Sequence, residues 1–333
     1  MSATTAPASQ FLLRRGAVAA LCSSLLLAVT WTVLGVLPWP SAVFFYGIPS
    51  VPDEAPETAT KLFRVNDWNI SEASGMATSA THPGCLWLHN DSGDDPRLFL
   101  VARSGLTRAV VTLENTVAID WEDMCAFHAD GRNWLLIADL GDNAGNRGRS
   151  RPGCRLWIFP EPQLELPADN AQPLTHALRP AVDVRLSWPR GPLDCESVAV
   201  DPQNKLILFC SKAKPTDAAL YSLPLDLKTK VQVRTAELLR PLQVPWATAM
   251  DLSPDGTRLA IVNPLSGILI DKGPEESWAD AAARPPLILT LPPRPQGETA
   301  CFESDGKTLL VGSEGRWQDI WNIQLPPPAT QDP

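Results

Sequence analysis

Four stretches of the chain repeat one another, and each carries a polar or charged residue at the same two places. Residues 196–212 (ESVAVDPQNKLILFCSK) lie on residues 298–314 (ETACFESDGKTLLVGSE) without a gap. Residues 248–264 fit the same frame, and residues 122–139 fit with one extra residue. Each copy reads polar start, apolar strand, Asp/Gly/Asn turn, apolar strand, polar end, which is the pattern of a β-hairpin. A hairpin sets the start of its first strand beside the end of its second, so the two polar positions meet at one edge. Hairpins fanned around an axis would bring those edges to a common mouth.

The spacing of the repeats predicts how many there are. Glu196 to Thr248 is 52 residues, Thr248 to Glu298 is 50, and Ser74 to Glu122, in a divergent first copy, is 48. A period near 50 with about four strands per unit is that of a β-propeller. Glu122 to Glu196 is 74 residues, with the surplus in the Gly/Arg/Pro-rich stretch 141–190. We expect an all-β propeller of five blades, or six if that interval hides a degenerate blade. The last repeat lacks an outer strand, which KLFRVND from residue 61 can supply, closing the ring from both ends of the domain. Proline, at 33 of 333 residues, falls mostly between the repeats and argues against long helices.

Residues 16–37 form a separate region of 22 residues without a charge. That length spans a bilayer as a helix. Arg14 and Arg15 precede it and no Lys or Arg follows before Lys61, so residues 1–15 are expected in the cytoplasm and the rest outside. An uncleaved signal anchor is preferred over a cleaved signal, because no A-x-A site follows the apolar run. A Pro-rich acidic tether, 38–60, then leads to the propeller domain, 61–333, in the periplasm or outside the cell. The net charge of -9 argues against nucleic acid as a partner. Six cysteines fall in the exported region, an even number that permits disulfides; Cys125, Cys301 and Cys210 also read as small buried residues.

At the mouth the frame gathers Glu122, Asp123, Glu196, Thr248 and Glu298 from the first strands, with Glu72 less well aligned. From the second strands it gathers Asn90, Asp91, Asp139, Asp142, Asn143, Lys212, Asn263 and Glu314. Converging carboxylates repel unless a cation, a shared proton or a basic residue neutralises them. Glu, Asp and Asn oxygens are the donors that Ca²⁺ or Mg²⁺ takes, so Glu122, Asp139, Asp142, Asn143, Glu196 and Glu298 are candidate ligands. Catalytic work would fall to His89, Asp91 and Lys212, and Asn90, Trp121, Asn263 and Glu314 would touch a small-molecule or envelope-component ligand. The plainer reading is that polar residues at strand starts bond the next blade and hold the ring closed. No H-E-x-x-H, G-x-S-x-G or phosphate-binding glycine motif is present.

HNDSGDDPRLF, DWEDMCAF, ADLGDN and QGETACF together resemble the motifs of an exported bacterial β-propeller family, over about residues 61–325. The resemblance implies fold and export and assigns no chemistry. More distantly the layout is similar to calcium-dependent phytase-like and gluconolactonase-like propellers, in which Glu, Asp and Asn hold Ca²⁺ in the mouth. That likeness implies Glu122, Asp139, Asn143, Glu196 and Glu298 as ligands. Two functions follow as expectations: a binding propeller with an acidic, ligand- or cation-binding mouth, or a calcium-dependent hydrolase of a small ester, lactone or phosphoester.

Overall fold

A computed structural model describes residues 54–143, 145, 147–149, 152–168 and 171–328. The expected cytoplasmic segment, the membrane anchor 16–37 and the tether up to residue 53 lie outside the described residues. Among those described, no helix is long and apolar enough to cross a membrane.

Strand β1 (Ala59–Arg64) comes first, and blade 1 follows as β2 (Ala73–Thr78), β3 (Cys85–Asn90), β4 (Arg97–Ala102) and β5 (Thr107–Leu113). Blade 2 begins with β6 (Trp121–Ala129), β7 (Arg132–Asp139) and β8 (Arg155–Pro160). The chain then leaves to lay β9 (Leu174–Leu178) parallel to β5 on the outer edge of blade 1, and returns as β10 (Val182–Ser187), the fourth strand of blade 2. Blade 3 repeats the manoeuvre. After β11 (Cys195–Asp201), β12 (Leu206–Ser211) and β13 (Ala219–Pro224), strand β14 (Val231–Thr235) runs parallel to β10 before β15 (Glu237–Pro241) completes the blade. Blade 4 is β16 (Ala249–Leu252), β17 (Arg258–Val262), β18 (Ser266–Asp271) and β19 (Leu287–Thr290). Blade 5 is β20 (Thr299–Phe302), β21 (Thr308–Gly312) and β22 (Asp319–Gln324), completed by β1.

The innermost strands β2, β6, β11, β16 and β20 touch one another in that order, and β20 returns to β2. The ring therefore has five blades. The 74-residue interval holds no sixth; its surplus falls between β7 and β8 and in the excursion through β9. Closure runs as the sequence suggested, with Lys61 opposite Trp321 and Arg64 opposite Asp319. Asp319 accepts Lys61 Nζ at 2.7 Å and Arg64 Nε at 2.9 Å. The hairpin between β6 and β7 turns on Asp130 and Gly131, both at positive φ (51° and 72°), as a type I′ turn requires.

Strand alternation explains why β3 and β7 carry apolar residues on both faces. In β7, Leu135 and Ile137 pack in a cluster shared with blade 1, while Leu136 and Ala138 pack in a cluster shared with blade 3. In β3, Trp87 faces blade 2, and Leu86 and Leu88 face blade 5. A strand sandwiched between blades buries both faces, so it shows no polar alternation. The six cysteines from Cys85 to Cys301 are all buried, which agrees with the reading of Cys125, Cys210 and Cys301 as packing residues.

Polar ties join the inner strands. Asp123, fully buried, accepts the backbone N–H of Met124 (2.9 Å), of Val198 in blade 3 (2.9 Å) and of Met250 in blade 4 (3.0 Å). Asp251 accepts Phe302 N–H at 2.7 Å, Thr248 Oγ1 donates to the Gly297 carbonyl at 2.8 Å, and Ser74 Oγ donates to the Glu122 carbonyl. Asp123 and Thr248 thus serve the ring rather than a ligand. Asp123→Ala would leave three buried amides without acceptors, a loss of about 3–9 kcal/mol at roughly 1–3 kcal/mol each. Guanidinium denaturation should show that loss; a cost below about 1 kcal/mol would mean the ring does not lean on these bonds.

Candidate functional site

The mouth is built by one irregularity repeated. Ala73 pairs with Asn90 but Gly75 with His89, so Ser74 is an extra residue on β2. Glu122 is extra on β6 in the same way, and the Glu196–Ser197 pair faces Cys210 alone on β11. These are β-bulges at the same frame position in three blades, and a bulge re-aims the side chain at its apex. A second regularity lies two residues earlier. The carbonyls of Glu72, Asp194 and Gln296 accept the N–H of Asp91 (2.8 Å), Lys212 (3.0 Å) and Glu314 (2.9 Å). In blade 2 the chain runs one residue longer: Leu140 turns into the core, and Gly141 makes the bond to the Asp120 carbonyl at 3.3 Å. A β-carbon on Gly141 would collide with the carboxyl groups of Glu122 and Asp120. Glycine here is the space those side chains occupy.

Three expected residues meet as the frame requires. Glu122, Glu196 and Glu298 are buried, and each acts electrostatically on a neighbour in the set. Oxygens of Asp91, Asp120 and Glu122 all lie within 4.8 Å of one another. Lys212 Nζ pairs with Glu196 Oε2, and Glu298 and Glu122 also act on it. Glu122 is 4% exposed, and its carboxylate has no hydrogen bond or ion pair among the described residues. Burial raises it well above the usual carboxylate range, and Glu196, Asp91 and Asp120 add to the effect. Burial, with Asp120 and Glu72, lifts Asp91 to about 6; burial, with Glu298, Asp91 and Glu72, lifts Glu314 to about 7. Burial also raises Glu196 and Glu298, against the pull of Lys212. For Lys212, burial alone would lower the ammonium, but Glu196 leads its neighbours in lifting it to about 12.

The remaining expected residues have other work. Asp139 Oδ1 accepts Asp120 N–H at 3.0 Å and pairs with buried Arg147. Arg147 Nε donates to the Gly141 carbonyl at 2.8 Å. Asp142 accepts Arg147 N–H at 3.1 Å, and its own N–H donates to Asp194 Oδ1 at 2.7 Å. These two acids brace the segments that carry Asp120, before β6, and Gly141, after β7; Asn143 is exposed. Asn90 is saturated: its oxygen accepts from Ser71 and Glu72 N–H at 3.1 Å each, and its amide donates to Asn69 O and Asp94. Asn263 caps its own turn by accepting Leu265 and Ser266 N–H. Trp121 donates to the Val117 carbonyl at 3.0 Å and packs in the core between blades 1 and 2. His89 is fully buried, donates from Nδ1 to the Asn90 carbonyl at 2.9 Å, and stands edge-on to Trp121. Burial lowers it to about 4, so it is neutral at physiological pH.

Asp120, Asp194, Arg147 and buried Arg294 were not among the sequence candidates. The signal for the two acids was present: D-W-E and D-C-E place an acid two residues before the frame glutamate, on the same strand face. The arginines had no such signal. Arg294 Nη2 donates to the Asn263 carbonyl at 3.0 Å and acts on Glu298 from a loop outside the repeat.

No protein-family model and no curated protein matches the chain. Among solved structures, a gluconolactonase from Xanthomonas campestris is similar at 11% identity over 85% of this chain and 93% of that one, with a TM-score of 0.45. A chain of a nidogen/laminin complex is similar at 9% identity over 75% of this chain and 74% of that one, with a TM-score of 0.40. No feature of the mouth rests on either similarity.

Raised carboxylates favour the fold when protonated. Asp91 and Glu314 contribute stability below their unfolded values near 4, and it is lost as pH rises through about 6 and 7. His89, lowered, acts oppositely, and its loss falls between pH 6.5 and about 4. Without divalent cations, the thermal midpoint should therefore fall from pH 6.5 to 8, and Asp91→Asn with Glu314→Gln should flatten the slope. A midpoint rising over that window would show that these carboxyls are already neutralised.

Proposed function

We propose that this protein is an extracytoplasmic propeller, held to the membrane by its N-terminal apolar segment, whose mouth binds a divalent cation. Asp91, Asp120 and Glu122 would hold it, with Glu196, Glu298 and Glu314 setting the negative field around them. The observation that carries the reading is Glu122. A buried carboxylate without a hydrogen bond is costly to keep charged, and it sits with two further carboxylates inside one ion's reach. Oxygens that all lie within 4.8 Å of one another can share one ion. The donors are all hard oxygens, which fits Ca²⁺. Of the six ligands expected from sequence, Glu122 stays in the set; Asp139 and Asp142 support it from behind.

A narrower reading, calcium-dependent hydrolysis of a small ester, lactone or phosphoester, is favoured by Lys212. Its side chain is 23% exposed at the rim, where an anionic substrate oxygen could compete with Glu196 for it. A bound cation would polarise such an oxygen. His89 is walled off from this chemistry, so proton transfer would fall to a mouth carboxyl.

The test is calorimetry of the full-length chain in detergent at pH 7.5, in EDTA, Ca²⁺ or Mg²⁺. Calcium at about 100-fold its dissociation constant adds roughly 2.7 kcal/mol, a midpoint shift of about 5 °C or more in a domain of this size. Glu122→Gln should fold and lose that shift, and Gly141→Ala should lose it by displacing Glu122. An unchanged midpoint in millimolar Ca²⁺ would remove the cation reading and the hydrolase with it.

A further inference from the structure

Beside the mouth, between the segment before β2 and the loop after β3, lies a cavity of about 320 Å³ that the cation reading does not use. The stretch HNDSGDDPR supplies one wall. Trp68, Asn69, Glu72, Asp94, Arg97 and Arg316 supply its chemistry. Trp68 is 63% exposed, and Trp317 beside it is 40% exposed. Leaving indoles of this size in water forgoes burial that a folded chain normally takes.

Both rings are held in place rather than loose. The Arg316 guanidinium carbon lies 4.1 Å over the Trp68 ring, and its Nε donates to the Trp68 carbonyl at 3.2 Å. The two indoles stand 6.2 Å apart between centroids, inclined at 55°. Trp317 has φ 61°, a region that bulky residues seldom enter. Gly315, two residues before it, donates its N–H to the Ser71 carbonyl at 2.9 Å, pinning this blade 5 loop to blade 1.

The polar wall is equally fixed and balanced in charge. Asp94 takes Arg97 through Nε and Nη2 at 2.7–3.1 Å and accepts the Asn90 amide at 2.7 Å. Arg316 and Glu72 add one charge of each sign. An aromatic platform beside planar donors and acceptors with no net charge suits a neutral sugar. The apolar C–H face of a pyranose lies on indole, and its hydroxyls need both donors and acceptors. A uronate or phosphosugar would find Arg97 already paired with Asp94 and would meet the Glu72 carboxylate beside it. We infer that this cavity binds a neutral saccharide of one or two pyranose rings, independently of any cation in the mouth.

Saturation-transfer difference NMR on the full-length chain tests this, in EDTA and a detergent without a sugar head group. The probes are cellobiose, maltose, lactose and chitobiose, with digalacturonate as the charged comparison. Transfer to ring protons of at least one neutral sugar is expected. Trp68→Ala should weaken binding about five-fold or more, while Trp246→Ala, an exposed indole outside the cavity, should not. Thermal melting of each variant checks that it folds. Absence of transfer from all four neutral sugars, undiminished binding in Trp68→Ala, or equal binding of digalacturonate would overturn the inference. So would transfer that appears only when Ca²⁺ is restored, because the sugar would then belong to the cation site. Binding that persists in EDTA stands even if calcium fails to shift the melting temperature.

Discussion

The mouth depends on one extra residue near the start of an inner strand. In a regular ladder, Glu122 and Glu196 would alternate with their neighbours and point into the packing between blades, where a carboxylate has no solvent and few donors. The bulge takes that residue out of the ladder and frees its direction. In blade 1 the same bulge carries Ser74, which ties itself to the backbone of blade 2. One backbone device thus produces both ring closure and site, and the residue placed on it decides which.

The division of labour follows from that device. Asp123 and Asp251, on the inner strands, satisfy amides of neighbouring strands and serve the architecture. Residues on the bulge or two before it surround the opening. There, the Glu122 carboxylate has no donor among the described residues, Lys212 offsets part of the field, and Gly141 makes room where a side chain would stand. The Asp139–Arg147 pair stiffens the loop behind Asp120 through bonds to Asp120 N–H and the Gly141 carbonyl.

Much of the ring was legible because the repeat is strict. Glu196 and Glu298, with Lys212 and Glu314 sixteen residues on, announced a hairpin edge, and the spacing near 50 announced blades. The strand that closes the ring was visible as KLFRVND. The parallel strands β9 and β14 were not, because an edge strand with few buried residues carries weak periodicity. At the mouth, sequence named the right edge but could not tell a ligand from a brace. ADLGDN reads as surplus acid; only a partner eight residues away, Arg147, shows that Asp139 is already engaged. Asn90 was indistinguishable from a donor until its four hydrogen bonds were counted. The mouth acids Asp120 and Asp194 stand outside the repeat frame of the glutamates, although a two-residue step keeps to one strand face.

The straps β9 and β14 make the ring mechanically uneven. Each binds the rim of one blade to the chain of the next, so blades 1, 2 and 3 are laced at the circumference as well as at the hub. Blades 4 and 5 have no such lacing among the described residues, and are held by hub contacts, interblade packing and the β1–β22 seam. Thr248 and Glu298 thus stand on the arc without straps, while Asp91, Asp120, Glu122 and Glu196 stand on the arc that has them.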